Sequence, residues 1–211
     1  MKKIFVLITL AVVLMLFTGC LDIFHAVSMK KGQVELTVRY TMQKAIFELG
    51  AGMSGEAPDY SEFTDIGDDM FKEFQGLEAD VRPIENEFEV GAEIYLKGSV
   101  SKMNNAAGER LEFLPQKTDI GWEIMIPGMG DEGGEADDEF AAAFLSSAKY
   151  RLLIDLSGDF RDITQASLIT AEGEEAPLEE FSAELYGSSM LIEIPMIFLF
   201  LTDDDLIIRL N

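Results

Sequence analysis

Cysteine, histidine and tryptophan each occur once in 211 residues, and Lys plus Arg number only 16 against 39 Asp plus Glu. One cysteine leaves no partner for an internal disulfide and no thiolate cluster for a metal. One histidine, His25, rules out a histidine-rich zinc site. A hydrolytic triad would have to be built on that single imidazole, and the sequence has no GxSxG-like elbow to supply its nucleophile. The formal charge of −23 argues against nucleic acid as a partner, because binding a duplex requires clustered Lys and Arg to neutralise phosphates. No solenoid repeat is present, and fifteen Phe residues speak against a disordered stalk.

The longest apolar run stands at the start. After Met1-Lys2-Lys3, residues 4–17 are interrupted only by Thr9, and the small pair Thr18-Gly19 then leads to Cys20. As a helix the fifteen residues 4–18 would reach about 22 Å, short of the roughly 30 Å hydrocarbon core that a permanent span must cross. A basic start, a short apolar stretch and small residues at its end are the layout of a cleaved export signal.

The stretch "FTGC" resembles the lipobox of bacterial lipoproteins. The resemblance implies a diacylglyceryl group on the Cys20 sulfur, cleavage directly before it, and acylation of the new terminus. Residues 1–19 are then the signal peptide and residues 20–211 a single envelope domain held by its lipid. Two or three acyl chains make attachment effectively permanent, where one would bind only marginally. Loss of Lys2 and Lys3 takes the formal charge from −23 to −25, so the anchor rather than a basic patch must hold the protein at its membrane.

Along the mature chain, "VELTVRYTM" at 34–42 alternates apolar and polar residues and predicts a half-buried strand. Ile23, Val27 and Met29 share a face just upstream, and Lys31-Gly32 can turn the chain between the two runs, so a hairpin is expected directly beside the anchor. Phe63, Ile66, Met70, Phe71, Phe74 and Leu77 recur at helical spacing, and a short helix is expected over 140–147. Further strands are expected over 88–96, 120–126, 150–156, 164–171 and 181–186, with 111–114 pairing to the second of these. The run "MLIEIPMIFLFL" at 190–201 reads as a long strand buried on both faces in its second half. Together these predict an α+β domain, with a mainly antiparallel sheet of about eight strands and two or three helices packed on one side.

Candidate chemistry is sparse. His25 in the first strand reads as structural. Asp68-Asp69, Asp137-Asp138-Glu139 and Asp203-Asp204-Asp205 could supply general acids or hard-metal ligands, but clusters of this kind are expected on the solvated faces of so acidic a chain. The glycine-rich acidic stretch 128–140 lacks the ligand spacing of an EF-hand and reads as a loop. Met190, Met196, Phe198 and Phe200 are the candidates for an apolar ligand or partner surface, since methionine-rich walls adapt to varied hydrophobic guests.

A cysteine followed at once by a strand hairpin, an α+β body and the late run "YRLLIDLSGDF" at 150–160 is similar to the LppM-type lipoprotein domain. That resemblance implies a lipid-associated envelope protein. The expectation is therefore a non-catalytic lipoprotein of the bacterial cell membrane or outer membrane, exposed outside the cytoplasm. It would need no cofactor or metal and would bind an envelope protein or a lipid; the alternative is an anchored hydrolase using paired carboxylates.

Overall fold

The computed structural model describes residues 21–45, 48, 60, 78–100, 102, 113–128, 145, 148–170, 175, 181–202 and 204–211. Cys20, the amphipathic segment 63–77, the segment 140–147 and nearly all of the acidic stretch lie outside the described residues.

The expected hairpin is present. Strands β1 (Leu21–Lys30) and β2 (Gln33–Gln43) pair antiparallel from Leu21↔Met42 to Lys30↔Gln33. Lys31 and Gly32 both take positive φ, 53° and 72°, the twist a two-residue turn needs to match its strands. Strands β3 (Glu78–Glu85) and β4 (Glu89–Ser99) form a second hairpin that joins the free side of β2. On the other side β1 pairs in parallel with β7 (Lys149–Asp155), which pairs with β10 (Ser189–Pro195) and through it β9 (Ser182–Tyr186). The resulting seven-stranded sheet has the order β3-β4-β2-β1-β7-β10-β9, with β1 in the middle.

A four-stranded sheet, order β5-β6-β11-β8, is built from β5 (Pro115–Thr118), β6 (Gly121–Ile126), β8 (Ala166–Thr170) and β11 (Leu206–Leu210). Inner residues of both sheets belong to one apolar cluster: Val27, Leu36, Ile94, Leu152 and Ile192 from the larger, Ile124, Ile126, Leu168 and Ile208 from the smaller. Each such side chain contributes roughly 1.5–3 kcal/mol by leaving water. A 3₁₀ turn (Gly158–Phe160) adds Phe160, whose ring meets Trp122 edge-on at 5.2 Å.

This corrects the expected α+β class. Among the described residues the architecture is β on β, with eleven strands in two sheets, and α1 (Met196–Leu201) is the only helix among the described elements. The inner face of the large sheet is covered by a second sheet where helices were expected. Alternation in sequence identifies a strand but does not say which sheet it joins.

The run 190–201 is corrected as well. The strand stops at Pro195, and Met196 and Leu199, three apart, are the buried residues of a helical turn. Every position there is apolar, so periods of 2 and 3.6 fit equally well. Pro195, at φ −59°, lacks the N–H that would continue the ladder. The Thr202 hydroxyl donates to the Phe198 carbonyl at 2.9 Å and closes the helix.

One glycine is demanded by space. A Cβ on Gly91 in β4 would collide with the Tyr40 carbonyl oxygen and come within 2.9 Å of the Thr41 Cα on β2. Both obstacles are backbone, so Gly91→Ala should lower unfolding free energy by about 1–3 kcal/mol, the usual cost of overpacking. Urea denaturation checks this; an unchanged midpoint would show that β2 and β4 can separate at no cost.

Candidate functional site

The register of the large sheet gives it two distinct ends. At one lie the start of β1, the end of β2, the β3–β4 turn, the start of β7 and the end of β10. Asp22 is aligned with Lys149 and Lys149 with Pro195. On the other side Leu21 is aligned with Met42 and Gln43 with Glu89. Since Leu21 follows Cys20 directly in the sequence, this is the end from which the chain emerges after the cysteine.

Among the described residues five ion pairs join neighbouring segments in this half of the sheet, one of them Arg82 with Glu93 at 3.8 Å. Arg151 meets Asp22 at 2.7 Å, Arg39 meets Glu89 at 3.0 Å, Lys44 meets Glu85 at 2.9 Å and Lys149 meets Glu193 at 3.1 Å. All are partly solvated, so each is worth at most about 1 kcal/mol. Their main effect is local neutrality in a strongly acidic chain.

The opposite end holds a cleft of about 470 Å³ lined by Ser28, Met29, Lys30, Lys31, Gln33, Glu35, Asp155 and Ser157. Its shape depends on Asp159, whose carboxylate accepts the backbone N–H groups of Gly32 at 2.8 Å and Lys31 at 3.0 Å. Those bonds hold the carboxyl below the usual Asp range. A shallower depression of about 160 Å³ continues over Ala26, Thr37, Tyr95 and Leu153 on the outer face of the sheet. Lys30 and Lys31 face Glu35 and Asp155 across its lining, so both signs of charge are present.

The candidate apolar residues do not form one surface. Met190 and Met196 are buried in the shared core, while Phe198 and Phe200 are half-buried and pack against it from α1. Asp204 is exposed and Asp205 half-buried just before β11. Asp68, Asp69, Asp137, Asp138, Glu139 and Asp203 lie outside the described residues. Among the described residues no group of three or more His, Cys, Asp or Glu side chains is placed to hold a metal ion.

His25 is fully buried on the inner face, with its Nδ1 2.7 Å from the hydroxyl of the equally buried Tyr150. Phe113, held at φ 67°, presents its ring edge-on at 5.9 Å. Desolvation lowers the imidazole pKa to about 3 and raises that of the phenol, so both groups are neutral and the Tyr150 hydroxyl can donate to Nδ1. The neutral imidazole lies out of contact with solvent, with the rings of Phe113 and Tyr150 against it. The contact with Tyr150, 125 residues distant, carried no signal in the sequence.

No family model matches the chain, and neither a curated protein nor a solved structure matches it.

The buried imidazole makes stability depend on pH with a definite sign. Folded His25 stays neutral down to about pH 3, whereas the unfolded chain takes up a proton below about 6.5. Its contribution is complete above pH 6.5 and is lost as pH falls toward 3. Between pH 7 and 5 the wild type should lose about 2 kcal/mol more than His25→Gln. Urea unfolding of both at the two pH values checks this; parallel curves would mean that the imidazole protonates in the folded protein.

Proposed function

We propose that this protein is a non-catalytic bacterial envelope lipoprotein, held outside the cytoplasm in the cell membrane or outer membrane by acyl chains on Cys20, and that it displays its large sheet to a partner protein. The observation that carries this reading is the junction itself. An apolar run ends in "FTGC", and one residue later the chain is already the central strand of its main sheet. A short export signal ending in a cysteine has a use for that thiol; an ordinary strand start does not.

An external protein partner accounts for the face better than an internal lipid does. Met190 and Met196 are buried in the core shared by the two sheets. The outer face of the large sheet, in contrast, is half-exposed from Asp22 to Ser28 on β1 and at Arg151, Leu153 and Asp155 on β7. It combines Phe24, Ala26, Leu153 and Leu191 with crossing ion pairs, a mixture of apolar and charged groups typical of protein interfaces. β1 rises about 30 Å over its ten residues, which carries the cleft well away from the lipid.

Replacing the anchor tests the reading. Cys20→Ala should abolish incorporation of labelled fatty acid and cleavage before residue 20, leaving an unprocessed or differently cut product. Equal labelling of wild type and variant would remove the basis for the assignment.

A further inference from the structure

Two features at the emerging end of the large sheet leave apolar surface in water, Phe88 and the side of α1 turned away from the core. Phe88, in the turn between β3 and β4, is 74% exposed. Its carbonyl accepts the N–H of Lys44 at 2.8 Å, which holds the turn against the end of β2. On the other side of β1, α1 leaves β10 at Pro195, and its first N–H is held by the Ala148 carbonyl at 2.9 Å. The helix buries Met196 and Leu199 and leaves Ile197, Phe198 and Phe200 partly in water.

The sheet order places both features symmetrically about the chain's point of emergence. β4 and β10 each lie two strands from β1, on opposite sides, which is about 10 Å each way at the usual strand spacing. Both are level with Leu21 by register. Leu21 is joined to Cys20 by one peptide bond, so acyl chains on that cysteine would enter the bilayer between them with no tether to hold the domain away.

Resting on the lipoprotein reading above, we propose that this end of the sheet is a membrane seat, in which Phe88 and the outer side of α1 enter the headgroup region of the bilayer that carries the anchor. The occupant is a zwitterionic phospholipid surface. A chain of formal charge −23 would be repelled by an anionic one; Asp22, Glu85, Glu89 and Glu193 are paired with Arg151, Lys44, Arg39 and Lys149, while Glu87 beside Phe88 and Asp204 and Asp205 beyond α1 add further negative charge at this end. Aromatic and aliphatic side chains beside a lipid anchor supply the second, reversible contact that fixes orientation.

The far end provides an internal control. Leu185 is exposed in β9 close to the β9–β10 turn, where Ser189 is aligned with Asp155. That is the end away from Leu21. The acylated full chain can be prepared as Phe88→Cys, Asp204→Cys and Leu185→Cys, each labelled with a nitrobenzoxadiazole dye and reconstituted into phosphatidylcholine vesicles containing nitroxide-labelled lipid. Asp204 is exposed just beyond α1, so this label reports on the helix without disturbing its packing. Quenching at positions 88 and 204 should exceed that at 185 several-fold. Equal, weak quenching at all three in protein that floats with the vesicles would overturn the seat and leave the anchor standing. Failure of the labelled wild-type background to float would overturn the anchor, and the seat with it.

Discussion

Ten consecutive residues of β1 are paired with β2 on one side and six with β7 on the other, and the larger sheet is assembled around that strand. The pairing is unusual in its ends. β1 is the first described segment of the chain and yet it is central, so the hairpin to β2 and the parallel partner β7, more than a hundred residues later, must both find it. Displacing β1 by one residue against its partners would turn Val27 and Met29 out of the core and Ala26 and Ser28 into it. Register on β1 therefore decides which groups face the second sheet, which face solvent and which stand at each end.

From that constraint the functional geography follows. The inner face is committed to packing, including the one histidine, which is neutral and bonded to Tyr150. The outer face and the two ends are what remain for contact with other molecules. One end carries paired charges, Phe88 and α1; the other carries the cleft shaped by the Asp159 clamp on the β1–β2 turn. In the proposed account the first faces lipid and the second faces a partner, with the strands spanning the distance between them.

Much of this was legible in the sequence wherever one face is buried and the other wet. Residues 34–42 alternate cleanly, and β2 is there; the Lys31-Gly32 turn formed where its glycine allowed. Strand β3 was missed because "EADVRPIE" has charges on both faces and Pro83 within it, which suit an edge strand that needs little burial. The run 190–201 misled for the opposite reason: with nearly every residue apolar it carries no period at all, and only Pro195 marks the change from strand to helix. Division of the strands into two sheets, and the meeting of His25 with Tyr150, depend on contacts between distant segments that no local pattern encodes.

The central claim is one of orientation: strands that stand up from the membrane, with Leu21 at the lipid and the Lys31-Gly32 turn farthest from it. Energy transfer between a donor at Lys31→Cys in the acylated protein and acceptors in the headgroup plane measures that height directly. An upright sheet predicts a separation of about 30 Å or more, from ten residues of strand rise. A separation well below that, as for a sheet lying flat on its outer face, would contradict the account.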